Sequence, residues 1–337
     1  MKTYRFRANA GNGTIEMEPT DIPEPGPGEV CVRLQAASVN FRDLLLLDAA
    51  GRGELNGRVP LSDGAGVVHT VGPGVAGHRV GSRVVASFYR DWITGPFKST
   101  YEATSRGGPG TDGVLAEYFV TTESSLVEIP ATLSFQEAAA LPCAAVTAWN
   151  GLIVRAGMTS GDRLLALGTG GVALFGLQFA VALGAEVLLI SSSNDKLAKA
   201  KELGASVLIN YRETPDWDVA VMEATDGRGA THILEVGGPE TYDRSIRSVA
   251  TNGTIVQIGV LTGVDIAPRL RRLTWENANI MGVTVGSAEH LAAVIAFVSE
   301  HAIHPVIDRV FSFDEAPHAL EHLRSGTHCG KVVISAP

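Results

Sequence analysis

Cysteine is scarce in this chain: three in 337 residues, Cys31, Cys143 and Cys329, odd in number and far apart. That pattern excludes a disulfide framework and suits thiols kept in a reducing compartment. No block of Lys or Arg is dense enough to form a basic patch. With a formal net charge of −9, the chain has no electrostatic reason to bind phosphate backbones or anionic lipid, so nucleic acid is excluded as an expected partner. The opening residues, MKTYRFRANAGNG, lack the apolar core of a signal peptide, which predicts a cytoplasmic protein. Internal repeats and low-complexity tracts are also missing.

One long apolar run is present. Leu164 to Ile190, LLALGTGGVALFGLQFAVALGAEVLLI, has only Thr169, Gln178 and Glu186 as clearly polar members, and about 20 apolar residues suffice to cross a bilayer. Its glycines argue against a membrane span. They divide it into an apolar strand, a GTGG turn, a helix from Val172, a Gly184-Ala185 turn and a second strand. Gly168, Gly170 and Ala173 fit G-x-G-x-x-[GA], in which the first glycine permits the turn, the second lets a pyrophosphate approach the backbone, and the small third residue packs helix on strand. The helix N-terminus at Gly171 and Val172 then faces the phosphates.

The alternation continues downstream with a helix from Asp195 to Leu203, a strand to Asn210, HILEV to Val236, a helix near Pro239 to Val249, TIVQIG to Gly259 and IMGVTV to Val285. Six strands alternating with helices predict a doubly wound parallel sheet, an α/β fold whose strands are apolar on both faces. Gly259, Val260 and Val285, at the ends of the later strands, complete the expected cofactor contacts. The first 130 residues differ. Turn signals (PEPGPGEV, VGPGVAG, RVGSRV) separate short alternating strands, the pattern of an antiparallel β-rich domain. Residues 91–112 are polar and glycine-rich and read as a long surface loop. Because chains beyond about 250–300 residues split into domains, we expect a β-rich domain at 1–130, a cofactor domain at 131–284, and a segment at 285–337 that returns to the first.

PGPGEVCVRLQAASVNFRDLL, PLSDGAGVVHTVGPGV, LPCAAVTAWNGL, GTGGVALFGLQFA, INYRE and GKVVIS, in that order, resemble the medium-chain dehydrogenase/reductase superfamily. SVNFRD, LSDGAG and TPDWD together are similar to its zinc-independent quinone-oxidoreductase-like branch. The resemblance implies a GroES-like catalytic domain, a Rossmann domain, NADPH as cofactor and a homodimer formed through the Rossmann sheets. Zinc alcohol dehydrogenases of this superfamily hold their catalytic metal with a Cys, a His-Glu pair and a second Cys; the matching positions here are Asn40, Ser62-Asp63 and Cys143. One thiol, an amide and a hydroxyl make a poor zinc site. The family's structural-zinc lobe corresponds to Asp91–Asp112, which holds no cysteine, so no metal is expected. Cys143 reads as a small packed residue. His318 and His322, four apart on a helix, read as solvated.

Without zinc, hydrogen-bond donors must stabilise charge on the substrate oxygen. Asn40 and Arg42, in SVNFRD, are the candidates; the alternative is that Asn40 closes a turn and Arg42 pairs with Asp43 or Asp63. Leu45 stands where some quinone oxidoreductases carry a tyrosine. For the cofactor, the second strand ends Ser191-Ser192-Ser193, with no carboxylate to hold ribose hydroxyls as NAD-preferring folds require. Ser192 and Ser193 offer hydroxyls and Lys196 a point charge for a 2′-phosphate. The resemblance places Lys196 and Tyr211 at that adenosine phosphate. The expected activity is hydride transfer from NADPH to a carbonyl-conjugated substrate, a quinone or enone. The alternatives are an alcohol dehydrogenase and a non-catalytic, crystallin-like NADPH-binding protein. Loops 47–60 and 91–112 would shape the substrate pocket.

Overall fold

A computed structural model of the chain describes residues 1–9, 12–263 and 268–336. They form two units, one made of Met1–Val146 with Val285–Pro337 and the other of Thr147–Thr284. The sequence boundary after residue 130 therefore moves: residues 131–146 pack with the β-rich unit.

In the first unit, valine-rich strands build a seven-stranded sheet in the order Ile307–Ser312, Lys331–Ser335, Glu29–Val39, Asp63–Val71, Arg83–Ala86 and Leu126–Glu128, with Tyr118–Thr122 also pairing to Glu29–Val39. The core beneath it is apolar and fully buried (Val30, Val32, Leu34, Val84, Leu115, Val332 and Ile334). Register matters more than composition here. Antiparallel pairing sets Val332 opposite Val39, and Ser38 opposite Asp63. The beginning of one strand, the end of the next and the beginning of a third thus meet at one end of the sheet, bringing Lys331, Asn40 and Asp63 together.

Residues 91–112 are not simply a surface loop. Their first half is mostly exposed, the 3-10 turn Ser99–Thr104 included, but Trp92 and Arg106 are buried, 3% and 2% exposed. Trp92 stacks on Tyr101 with ring centres 6.0 Å apart and 9° between planes, and meets Phe97 edge-on. The Arg106 guanidinium donates to the Ser87 carbonyl (2.8 Å), Thr121 Oγ1 (2.6 Å) and Ser125 Oγ (2.7 Å). Burial, reinforced by Arg90, lowers its pKa to about 9. Aromatic packing and one buried guanidinium hold the segment together.

In the second unit six parallel strands lie in the order Val207–Asn210, Glu186–Ser191, Arg163–Leu167, Ala230–Glu235, Val249–Gln257 and Asn279–Gly282. This is the doubly wound arrangement, whose order reverses beside the first strand. Leu165, Leu188, Ile190, Ile233 and Ile255 form its core. The helix Gly171–Ala182 lies close to the sheet at Gly176, where a Cβ would come within 2.3 Å of Leu234. That apolar helix ends at Ala182, so the long run belongs to a strand-helix-strand unit. No helix among the described residues is long and apolar enough to cross a membrane.

Candidate functional site

The polar cluster at the sheet end of the first unit is built on three strands and one helix. The Phe41–Gly51 helix starts at Asn40 with a capping box, in which the Asp43 carboxylate reaches back to accept from Asn40 N at 2.7 Å. The Asn40 side chain has further partners in the cluster. Its Oδ1 accepts from Lys331 Nζ, which also donates to the Val39 carbonyl at 3.0 Å. Asn40 Nδ2 lies 3.5 Å from Ser62 Oγ, Ser62 Oγ donates to Asp63 Oδ1 at 2.6 Å, and Asp63 Oδ2 lies 3.8 Å from Lys331 Nζ. The backbone N–H of Cys143 donates to Asp63 at 3.2 Å. Leu61, just before Ser62, has φ 68°, a left-handed conformation that leucine rarely adopts and that costs roughly 1–3 kcal/mol. The strained turn delivers Ser62 and Asp63 into the cluster.

The positions that match the ligands of zinc-dependent relatives, Asn40, Ser62-Asp63 and Cys143, are therefore adjacent, but their chemistry does not suit the metal. Burial and the Asp63 charge push the Cys143 thiol well up, and Cys143 is the one soft ligand among these positions, beside an amide and a hydroxyl that zinc does not favour. An ammonium occupies the same cluster, where it would repel a cation. Among the described residues no three His, Cys, Asp or Glu side chains are arranged to hold a metal. His322, expected to be solvated, instead pairs through Nε2 with Asp308 at 2.7 Å.

Arg42 is engaged elsewhere. It donates to the Arg106 carbonyl at 2.9 Å, lies 3.7 Å from Asp43 Oδ1 and stacks over Phe88 at 4.6 Å. Of the two readings of Arg42, these contacts match pairing with Asp43. Leu45 is 47% exposed. Lys331, only 3% exposed, was absent from the sequence candidates; the one signal for it is a lysine heading the apolar strand of the closing GKVVIS motif.

Asp43 has no hydrogen bond at Oδ1, and burial, only partly offset by Arg42 and Asn40 N–H, raises its pKa to about 6. A carboxyl whose folded pKa lies above its unfolded value stabilises the fold while protonated, fully below about pH 4, and loses that contribution as pH rises through 6. Between pH 4 and 7 the wild type is thus expected to lose roughly 2–3 kcal/mol relative to Asp43→Asn. Urea unfolding of both proteins across that range measures it. A constant difference between them would show that Asp43 titrates as an ordinary carboxylate.

In the second unit the predicted cofactor residues gather at the C-terminal edge of the sheet. Gly168 has φ 80°, and its N–H donates to the Ile190 carbonyl at 2.8 Å. Gly170 starts the helix without a side-chain cap, and a Cβ built on it meets no protein atom within 4 Å. The N–H groups of the first turn, Gly171 and Val172 included, thus face a space that a pyrophosphate can enter and a side chain would obstruct. Ser191, Ser192 and Ser193 follow the second strand with no carboxylate among them. Ser193 Oγ accepts from Lys196 N at 3.5 Å and caps the helix Asn194–Glu202, which limits the role proposed for its hydroxyl. Tyr211, 40% exposed, donates its N–H to the Ser191 carbonyl at 3.0 Å. Gly259 sits against Val236, where a Cβ would come within 2.3 Å of the Val236 carbonyl, and Val260 follows it. Val285 is the first residue of the segment that belongs to the first unit.

A residue unforeseen from sequence also shapes this edge. Glu235, fully buried, accepts from the N–H of Gly237 (2.8 Å) and Gly238 (3.1 Å) and from the hydroxyls of Thr241 (2.7 Å) and Ser245. It fixes the turn after the fourth strand.

Comparison with known proteins agrees with both units. Residues 26–131 match the alcohol dehydrogenase GroES-like domain and residues 171–300 the zinc-binding dehydrogenase domain. A zinc-type alcohol dehydrogenase-like protein of Schizosaccharomyces pombe is 41% identical over 333 residues, 96% of each chain. A crotonyl-CoA reductase of Streptomyces avermitilis is 27% identical over 365 residues, covering 96% of this chain and 82% of that one. Among solved structures, a Sinorhizobium meliloti protein described as an alcohol dehydrogenase superposes with TM-score 0.92 at 39% identity, over 99% of this chain and 98% of that one. An NAD-dependent alcohol dehydrogenase gives 0.90 at 31% identity, over 100% of both.

Proposed function

The chain belongs to the medium-chain dehydrogenase/reductase superfamily, and on that premise we propose that this oxidoreductase is a zinc-independent, NADPH-dependent reductase of carbonyl-conjugated substrates. The observation that carries this reading is the buried Lys331 ammonium among the positions where zinc enzymes bind metal. Bound NADPH would supply the hydride. Gly168, Gly170 and the first turn of the following helix would hold its pyrophosphate, and Ser192, Lys196 and Tyr211 its adenosine end. Asn40 presents an amide N–H to the substrate oxygen. Direct reduction of an unactivated ketone puts nearly a full charge on that oxygen, which zinc carries as a Lewis acid; addition to a conjugated system spreads the charge over an enolate, and an amide donor suffices. A relative named for reduction of crotonyl-CoA, whose carbonyl is conjugated, supports the substrate class.

A second reading, alcohol oxidation with NAD, is favoured by the name of the 31% identical structure. Cofactor oxidation across a panel of quinones, enones, aldehydes and alcohols, with zinc analysis and chelation, separates the two. Enones or quinones should turn over with NADPH, with zinc well below one per chain and no loss on chelation. Stoichiometric zinc lost together with activity, or alcohols oxidised while enones stay inert, would establish the alcohol dehydrogenase. NADPH binding without any turnover would establish the crystallin-like alternative. We further propose a cytoplasmic homodimer joined along the outer strand Asn279–Gly282, where Leu270, Trp275 and Ile280 expose apolar surface beside an unpaired sheet edge.

A further inference from the structure

We propose that Lys331 is a positioning residue: its ammonium sets the orientation of the Asn40 amide and supplies the cation that zinc supplies in metal-dependent relatives. This rests on Asn40 being the donor to the substrate oxygen. The direction of the contacts follows from what each group can do. An ammonium donates only, so the atom that meets Lys331 Nζ is Asn40 Oδ1. The Nδ2 group is thereby turned the other way. One of its hydrogens faces Ser62 Oγ, whose own hydrogen is committed to Asp63 Oδ1. The second meets no acceptor among the described residues. Asn40 is 8% exposed while Lys331, Ser62 and Asp63 are 3%, 0% and 0% exposed, so the asparagine is the least enclosed of these four.

Lys331, Asn40, Ser62 and Asp63 form a ring closed by the 3.8 Å approach of Asp63 to Lys331. Within it each hydrogen bond polarises the next. Donation into Oδ1 draws electron density from the amide and makes the outward Nδ2–H a stronger donor. Without that contact the amide can flip and present Oδ1, an acceptor, to an oxygen that is gaining negative charge. Lys331 does not touch the substrate; it acts through Asn40.

Two measurements test this, one of them independent of turnover. In protein labelled with 15N-asparagine, the Asn40 side-chain NH2 signals are those that vanish in Asn40→Ala. Lys331→Met should displace them and Lys331→Arg should keep them near their wild-type positions. Because Lys331→Met leaves Asp63 without its cation, the charge-neutral pair Lys331→Met/Asp63→Asn is examined beside it, and displaced signals are expected there too. In kinetics, Lys331→Met should lower kcat by roughly 10-fold or more, with KM for NADPH within about twofold and most of the rate restored in Lys331→Arg. Added to Asn40→Ala, Lys331→Met should cause no further loss, because a residue acting through another has nothing left to act on. Unmoved Asn40 signals in both Met variants, or full additivity with Asn40→Ala, would overturn the proposal. Displaced signals in a protein that reduces no enone or quinone would instead sink the reductase reading and support the positioning role.

Discussion

Asn40→Ala is expected to lower kcat/KM on enones or quinones by roughly 10- to 1000-fold, the range for removing one donor that stabilises developing charge. Asn40 occupies a helix N-cap position in a capping box with Asp43, and its amide oxygen also accepts from a buried lysine. Alanine also strips Lys331 of an acceptor, so a loss of activity alone would not separate chemistry from folding. Asn40→Asp does. It retains an oxygen for Lys331 and fits the same space, but has no Nδ2–H to present to substrate. Both variants should therefore be slow, with NADPH affinity little changed, while thermal unfolding should show Asn40→Asp the less perturbed. Near-wild-type turnover by Asn40→Asp would remove the amide donor from the mechanism.

The fold was more legible in the sequence than the site. Buried parallel strands are apolar on both faces, so LLAL, EVLLI and TIVQ could be read as strands from local pattern, and the glycine turn between the first strand and its helix announced itself. Short elements did not. The helix Trp217–Ala224 has only eight residues, and the Phe41–Gly51 helix carries four consecutive leucines that obscure its period. Residues 91–112 were misread because polarity and exposure are different things: Arg106 is charged, yet held inside by hydrogen bonds to one carbonyl and two hydroxyls. Ser193 looked available for the ribose because capping depends on where the next helix starts. Lys331 was missed for a deeper reason. At the head of a strand a lysine ordinarily points to water; here the register of Val332 against Val39 places it beside Asn40, and pairing between residues nearly three hundred positions apart leaves no local trace. Asn40 was found because its motif is local; its partner was not, because partnership is a property of the sheet.

Lys196→Ala is expected to raise KM for NADPH roughly 10- to 100-fold and KM for NADH by no more than about threefold, the size of one lost hydrogen bond to a charged group. The placement of Lys196 supports a ligand role. It is the third residue of the helix Asn194–Glu202, within the first turn, where the helix dipole favours acidic side chains and a lysine is mildly destabilising. The helix gains nothing from the charge, but a 2′-phosphate at that N-terminus would gain from both the lysine and the backbone N–H groups. The strand ends nearby reinforce this: Ser191-Ser192-Ser193 offers hydroxyls where a ribose-binding carboxylate would repel the phosphate, and Tyr211 follows the adjacent strand at the same edge. Because the phosphate lies far from the reacting carbon, the interaction is the same in ground and transition states, so KM should change and kcat should not. Lys196→Glu sharpens the test. A carboxylate there should weaken NADPH further while leaving NADH serviceable, and the proposed preference of the wild type for NADPH should shrink as ionic strength rises. Equal effects of Lys196→Ala on the two cofactors would take the phosphate contact out of the site and leave the cofactor preference to the serines alone.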